Sequence, residues 1–493
     1  MAALPGKPIR SKVGIGRPTG PLARRLAWAG GGLIVIAVLA LADHRFGLKG
    51  VIALPFAVAV LAYAVQRPGT TIAAVVAATI ICEGVGFGLL HFTAHLYSHV
   101  YRNLTLLDAL VAIAVAGALL HTLANGRQPL LPRPLALPLA VLGLAMVSGL
   151  VIGHASGGGS LRYLVVSEHV LGYLLTVPIA VASLRLPTSD LKRVLALGYG
   201  LAVLKSLEGL AELAVGHGPL VEGSTRITFY EPTANWVVMV ALLAALGAKV
   251  AGQRLPRLVA ATLPLLLASL LLSYRRSFWI AFALAIVVVL ILGSSAGLRR
   301  ALLVAALGCA GAIWLAGSVA VQGQNPILRR VTSLNPTALK NNPEDFYRIA
   351  EQENVLAAIA EHPITGLGIN VPWRADAQVL PVEHVEGREY THDAALWFWL
   401  KLGLLGLLAY IGVVIGSITV ALRSWRTATD PLLKAFALAS TAALITVPVL
   451  DVTAAFTGVE QRFTLVVAAQ IGLLTLIWRA SSAVPAPIPP SAG

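Results

Sequence analysis

The sequence predicts an all-α fold: a polytopic bundle of transmembrane helices with one large, partly helical loop on the outer side. Three observations carry that reading. Of 493 residues, 57% are hydrophobic and 12% charged, with a mean hydropathy of +0.81. A soluble domain carries about 25% charge, so a soluble globular enzyme is excluded, as is a disordered chain, which needs low hydrophobicity. Apolar runs of bilayer-crossing length, about 17–25 residues, recur along the chain. The basic residues behind the net charge of +15 sit between those runs, where they orient a membrane protein rather than form a nucleic-acid surface.

Candidate spans fall near 26–43, 50–66, 70–90, 104–124, 134–153, 161–184, 194–215, 229–249, 257–273, 277–293, 301–320, 392–416, 433–450 and 461–478. That makes fourteen, or twelve if short runs such as 50–66 are re-entrant. Residues 1–25, with Arg10, Lys12, Arg17, Arg24 and Arg25, read as a disordered basic tail on the cytoplasmic side. Alternate connections then carry Arg67; Arg127 and Arg133; Arg185, Lys192 and Arg193; Lys249, Arg254 and Arg257; Arg299 and Arg300; Arg423, Arg426 and Lys434; and Arg479. All fall on the N-terminal side, so the span number is even and both ends are cytoplasmic. Residues 26–320 form the N-terminal part of the bundle, 392–479 its C-terminal helices, and 480–493 a loose tail. The connection 321–391 stands apart. It is long and polar, lies on the outer side, and carries an amphipathic helix pattern from Pro343 to His362, with Pro343 in the first turn.

Ionisable groups inside spans are functional candidates by default: Asp108, Glu168, Lys205, Glu208 and Glu212. Lys205, Glu208 and Glu212 share a helix face, as an internal ion pair joining two helices or as a proton-coupling surface. Cys82 and Cys309, both within apolar runs, support no disulfide framework. His91, His95 and His99 recur every four residues, so on a helix they would line one face as a metal grip or simply an exposed polar face. The run GHASGGGS at 153–160 reads as a flexible outer loop. No P-loop, HExxH or GxSxG pattern is present.

Arginine is unexpected on the outer side, yet Arg226, Arg275, Arg276 and Arg348 fall there. The planar fork of arginine suits phosphate, so an anionic headgroup, a pyrophosphate above all, is the matching ligand; snorkelling to the interface is the plainer reading of each one. Arg226 and Arg276 are expected to converge on one cavity open to the outer leaflet. His392 and Asp393 open the span after the big loop. That places an imidazole at the water–lipid boundary, where it can serve as a general base.

Four segments resemble one family, the O-antigen ligase and polysaccharide polymerase superfamily of bacterial membrane glycosyltransferases. STRITFYEPTANW (224–236) is similar to its Arg-x-x-Gly-x-x-x-x-Pro-Asn element, with Thr233 in place of Asn and the Gly missing. SYRRSFWIAFALA (273–285) resembles its Ser-Arg-Gly-x-Trp element. FYRIAEQENVLAAIAEHPITGLGIN (346–370) resembles the loop helix followed by His-Pro-x-x-Gly-x-Gly. THDAALWFWLKLGLLGL (391–407) resembles His-Asn-x-x-Leu…Gly-x-x-Gly, with Asp393 for Asn and Lys401 near the usual Glu. The resemblance implies transfer of a glycan from a polyprenyl-pyrophosphate donor to an acceptor hydroxyl of a glycan or glycolipid. The transfer takes place at the outer face of a bacterial inner membrane, among its lipids, without nucleotide sugar, metal or other cofactor. It implies Arg226 and Arg276 as pyrophosphate ligands and His392 as the base of an inverting reaction; Arg275, Arg348 and Asp393 are secondary candidates. Ligase and polymerase are not separated by sequence. A transporter or flippase for an anionic lipid-linked substrate is the rival reading, although the paired broken helices and internal repeats typical of transporters are not seen.

Overall fold

The computed structural model describes residues 48–82, 91–101, 103–126, 131–221, 225–229, 231–293, 343–378 and 387–482. The tail 1–25, the spans expected at 26–43 and 301–320, and residues 483–493 lie outside them. The chain divides into two compact units, 1–63 and 64–493. Helix α1 (Leu48–Gln66) begins in the first.

The second unit is built from helices. They are α2 (Pro68–Ile81), α3 (Leu106–Ala124), α4 (Arg133–Ala155), α5 (Leu161–Ser167), α6 (His169–Ser183), α7 (Thr188–Ala214), α8 (Pro232–Val250), α9 (Arg257–Leu271), α10 (Arg276–Gly293), α11 (Pro343–Glu361), α12 (Ala394–Thr427), α13 (Pro431–Thr453) and α14 (Gln461–Ser482). Two tiny antiparallel ribbons pair β1 (His99–Tyr101) with β2 (Leu104–Thr105), and β3 (Leu220–Val221) with β4 (Thr225–Arg226). Among the described residues, eight helices are long and apolar enough to cross a membrane, or ten if each of two bent pairs counts as one span. The pair α5–α6, bent by 63°, occupies the run expected as a single span at 161–184. The protein is an all-α polytopic membrane protein.

Three helices form the centre. About 67% of α8 and 72% of α13 and α14 is buried, against 28% of α4, whose outer face is left for lipid. Polar groups in the centre satisfy one another, as burial in an apolar medium demands. The Trp236 indole donates to Gln470 Oε1 at 2.9 Å, and Gln470 Nε2 donates to Ser440 Oγ at 2.9 Å.

The basic connections meet at one end of the bundle. Lys192 pairs with Asp430 at 2.7 Å, Gln253 Nε2 donates to the Pro431 carbonyl at 3.1 Å, and Arg479 Nη1 donates to the Ala182 carbonyl at 2.6 Å. Arg423 lies over the Trp478 ring at 5.5 Å. The opposite end gathers the starts of α8, α10, α12 and α14 and the ends of α4, α7, α9 and α13. These contacts bring the connections near 182–192, 250–256, 423–434 and the end of α14 together.

The expected span 392–416 is corrected. The helix breaks at Gly403, whose backbone is left-handed (φ 69°, ψ −166°). A straight helix would set Phe398 and Tyr410 about 18 Å apart along its axis; their rings lie 5.1 Å apart. A short arm, residues 394–402, therefore turns back on a long arm, 404–427, which is the membrane-crossing part. A β-carbon at Gly403 would collide with the Ile364 carbonyl, so both φ and space require glycine. The 153–160 run packs on the loop at two of its glycines: Asn370 Nδ2 donates to the Gly158 carbonyl at 2.9 Å, and a β-carbon at Gly153 would collide with the Ile369 carbonyl. The histidine face is corrected as well. Residues 91–97 are 3₁₀-helical and His99 lies in β1, so a four-residue repeat does not align them.

Two predictions follow from this architecture. In a protein with Cys82 and Cys309 replaced by Ser, a cysteine at Arg254 and one at Lys192 should react alike towards an impermeant thiol reagent in intact cells, and a cysteine at His217 should react oppositely. Matching reactivity at 217 and 254 would refute the shared basic end. Gly403→Ala should cost about 2 kcal/mol or more, since this glycine-only backbone conformation alone costs roughly 1–3 kcal/mol. Gly198→Ala, in a helix with open space around it, should be neutral or stabilising by up to about 1 kcal/mol. Thermal midpoints in detergent would read both.

Candidate active site

The break at Gly403 leaves backbone groups without helical partners, and the His-Pro-x-x-Gly-x-Gly element supplies them. Leu367 N donates to the Leu400 carbonyl at 2.7 Å, and Leu404 N to the Ile364 carbonyl at 3.0 Å. The Trp399 indole donates to the Pro363 carbonyl at 2.7 Å. Lys401, fully buried, sends Nζ to the Val371 carbonyl at 2.5 Å. The short arm is thereby fixed to the loop.

The loop helix α11 closes over that arm. Val355 and Ile359 pack with Trp373 and Leu400 in a small apolar cluster. Two polar residues share this buried face, three positions apart: Glu351 and Asn354, each 1% exposed. Asn354 Oδ1 accepts from Ala377 N and Gln378 N at 2.8 and 2.9 Å, and its Nδ2 donates to the Gln378 carbonyl at 2.8 Å. Asn354 therefore ties the far side of the loop to the helix.

Glu351 takes His392. One oxygen, Oε2, accepts the His392 backbone N–H at 2.9 Å and faces its Nδ1 at 3.0 Å. Tyr347 and Tyr390 flank the imidazole edge to face, at 6.0 and 5.1 Å between centroids. His392 is 8% exposed, inside a cradle of loop residues, two residues before α12 begins at Ala394. Donation from Nδ1–H to the carboxylate places the lone pair on Nε2, the atom that can take a proton. Sequence reasoning did not single out Glu351. Its signal was a carboxylate in the i, i+4 row Tyr347–Glu351–Val355, the apolar face of an otherwise amphipathic helix.

Asp393 caps the short arm. Its Oδ1 accepts from Leu396 N at 3.0 Å, and burial raises its pKa above its ordinary value. Arg348 is half-buried on α11, three residues before Glu351. Arg275 and Arg276, both half-buried, form the tight turn before α10, where Tyr274 has φ 51°. Arg226 is exposed in β4, and its Nη1 donates to the Gly218 carbonyl at 2.9 Å. Its segment is joined to the arginine turn: Thr228 N donates to the Leu272 carbonyl at 3.1 Å and Thr228 Oγ1 to the Ser269 carbonyl at 2.7 Å. The arginine turn and the His392 arm flank one connection, residues 454–460. Phe278 packs on Phe456 at 6.2 Å from one side, and Phe398 lies against Gly458 from the other.

Three consecutive residues at the start of α14 knit this end together. Arg462 pairs with Glu231 at the start of α8, donates Nε and Nη2 to the Thr79 carbonyl at 3.2 and 3.1 Å, and lies over the Tyr97 ring at 5.3 Å. Gln461 Nε2 donates to Thr105, Asp108 and Tyr173 at 3.0–3.2 Å. Glu460 accepts from Arg462 N and Phe463 N. Three of the remaining intramembrane candidates, Asp108, Lys205 and Glu208, have structural partners. Asp108 completes a capping box with Thr105 and meets Tyr173 and His169. Lys205 pairs with Glu208 at 2.9 Å within α7. Among the described residues, no group of three His, Cys, Asp or Glu could hold a metal ion.

Residues 261–411 match the family model described as O-Antigen ligase. The match covers the arginine turn, the loop helix, the His392 cradle and the Gly403 break, and leaves Arg226 outside. It supports the superfamily that the four motifs resemble, and with the apolar helices it supports a membrane glycosyltransferase-like enzyme of ligase or polymerase type. No curated protein matches the chain.

Removing one partner of the buried Glu231–Arg462 pair strands a charge, which typically costs about 3–5 kcal/mol. Arg462→Ala should therefore lower the thermal midpoint in detergent much more than Glu231→Gln combined with Arg462→Met. Equal losses would show that the pair is not a stabilising unit.

Proposed function

We propose that the protein transfers a glycan from a polyprenyl-pyrophosphate carrier to an acceptor hydroxyl on the outer face of a bacterial inner membrane, with His392 as general base. The observation that carries this reading is the Glu351–His392 pair, buried under the loop helix at the end of the bundle opposite the basic connections. By the positive-inside rule that end is extracytoplasmic, and residues 261–411, which include this pair, match the O-Antigen ligase family model.

In this mechanism the acceptor oxygen attacks the anomeric carbon as its proton passes to His392 Nε2. The bond from that carbon to the pyrophosphate oxygen breaks, and polyprenyl pyrophosphate leaves. Attack opposite the leaving group inverts the anomeric centre. Glu351 is a positioning residue: it fixes the tautomer and stabilises the imidazolium that forms, as a buried carboxylate does beside a catalytic histidine. Arg276 and Arg275, with Arg226 from the adjoining strand, hold the pyrophosphate and stabilise its developing charge, as preorganised cations do for a phosphoryl leaving group. Arg348 sits on the same loop helix as Glu351 and is a further anion contact at the mouth of the cradle. Asp393 acts through its cap on the short arm.

Transfer from a synthetic polyprenyl-pyrophosphate glycan by purified protein in nanodiscs tests the assignment. His392→Gln should lose about 10²–10⁴-fold in rate, the usual contribution of a general base, with folding retained. Glu351→Gln should lose part of that rate and shift its pH profile. Arg276→Ala should weaken donor use, and Arg276→Lys should rescue it poorly because the bidentate fork is gone. Near-normal transfer by His392→Gln would remove the residue from the mechanism.

A further inference from the structure

The connection 454–460 lies between the arginine turn and the His392 arm, and one buried side chain folds it. Asp451, 1% exposed in the last turn of α13, gives its two carboxyl oxygens to different partners. Oδ1 accepts from Phe456 N at 3.2 Å and Thr457 N at 3.0 Å, in the connection itself. Oδ2 accepts from the Tyr410 hydroxyl at 2.8 Å, on the long arm of α12. Each partner carries one half of the candidate site. The Phe456 ring packs on Phe278, in the first turn of α10 beside the arginine turn. The Tyr410 ring packs on Phe398 of the short arm, at 5.1 Å between centroids. The rest of the connection leaves little slack. Thr464 Oγ1 donates to the Phe456 carbonyl at 3.1 Å and accepts from Gly458 N at 2.9 Å. Gly458 is left-handed (φ 81°), and a β-carbon there would meet the Phe398 ring at 2.8 Å. Phe278 and Phe398 are fully buried, so neither ring has room to give way.

We propose that Asp451 is a positioning residue: its carboxyl holds the arginine turn and the His392 arm in register, so that pyrophosphate ligands and imidazole address the same sugar carbon. The proposal rests on the reading of those two elements as donor site and base. Asp451 is too deeply buried to touch substrate, and what it supplies is a shape, one acceptor for each half of the site. An asparagine keeps that shape. Its Oδ1 accepts from the Phe456 and Thr457 amides while its Nδ2 donates to the Tyr410 oxygen, which accepts as well as donates. An alanine leaves two amides and a hydroxyl without their partner, and the two halves lose their common anchor. Tyr410→Phe cuts the branch to the His392 arm alone and keeps the ring contact with Phe398. Donor binding needs the arginine turn by itself, whereas transfer needs both halves aligned, and a misplacement of about 1 Å at a reacting group costs about 10²-fold in rate.

The test separates donor binding from turnover, with a synthetic polyprenyl-pyrophosphate glycan and the full chain in nanodiscs. Asp451→Ala should bind the donor within about 3-fold of the wild-type Kd yet transfer about 10²-fold more slowly at saturating donor and acceptor. Tyr410→Phe should show a smaller loss of the same kind, and Asp451→Asn should restore most of the turnover. A distance readout needs no activity. With Cys82 and Cys309 replaced by Ser, spin labels at Leu271→Cys, just before the arginine turn, and at Glu353→Cys, on the loop helix that packs on the short arm, sit on exposed positions of the two halves. Their separation should be one narrow peak in the wild type and in Asp451→Asn, and should broaden or shift in Asp451→Ala and Tyr410→Phe. Unchanged separations, or donor affinity and turnover falling together as in a damaged fold, would overturn the role of Asp451. Asp451→Asn as slow as Asp451→Ala would overturn it too, since the charge and not the join would then matter. If Asp451→Ala does not fold, Tyr410→Phe decides. His392→Gln measured in parallel tests the underlying reading: near-normal transfer there removes the base, and the label separations still judge the join. A slow His392→Gln beside a fast Asp451→Ala keeps the base and overturns Asp451.

Discussion

Everything at the candidate site depends on how a broken helix is satisfied in an apolar bundle. At membrane depth, irregular backbone survives only where protein supplies its missing hydrogen bonds. At Gly403 those bonds come from residues 363–367, through Leu367 N to the Leu400 carbonyl and Leu404 N to the Ile364 carbonyl. One exchange therefore has two results. It permits the short arm 394–402 to turn back across the bundle, and it fastens the large loop to the membrane-embedded helices. His392 is carried at the free end of that arm, so its position follows from the turn.

The loop helix then supplies the chemistry that the arm lacks. Its buried face sends Asn354 to the 377–378 backbone and Glu351 to His392, so one helix orders the loop and orients the imidazole. The arginines come from elsewhere, from the turn before α10 and from β4, yet they reach the same end because residues 454–462 lie between the two groups. Phe278 and Phe398 flank that connection, and Gln461 and Arg462 tie it to α2, α3, α6 and α8. The site is assembled from rigid helix ends and one clamped loop, which is how a membrane protein holds polar groups in place without water to solvate them.

Much of this was legible in the sequence, for physical reasons. Hydropathy and the placement of basic residues give the helices and the alternation of their ends, because each is a direct consequence of the bilayer as solvent. The loop helix from Pro343 is visible as a periodicity, and it ends at Glu361, one residue before the expected end. The break at Gly403 was not visible, since apolar residues run through it without interruption and only the Leu-Gly-Leu-Leu-Gly spacing marks it. Glu351 was hidden for a different reason. A carboxylate on an amphipathic helix looks solvated until its partner is known, and that partner lies 41 residues away. Gln461 and Arg462 read as an ordinary polar helix start; that they reach four separate helices is a property of packing alone.

The account turns on whether the reacting groups meet at His392. The most direct measurement is a cryo-EM structure of the protein in nanodiscs with a donor analogue whose anomeric carbon is joined to the pyrophosphate through a methylene, so that it binds without transfer. The account predicts the pyrophosphate on the Arg275–Arg276 turn and the sugar's open face toward His392 Nε2, with room for an acceptor hydroxyl at about 3 Å from that nitrogen. A pyrophosphate bound among the basic connections at the other end, or a sugar turned away from the Glu351–His392 pair, would contradict it.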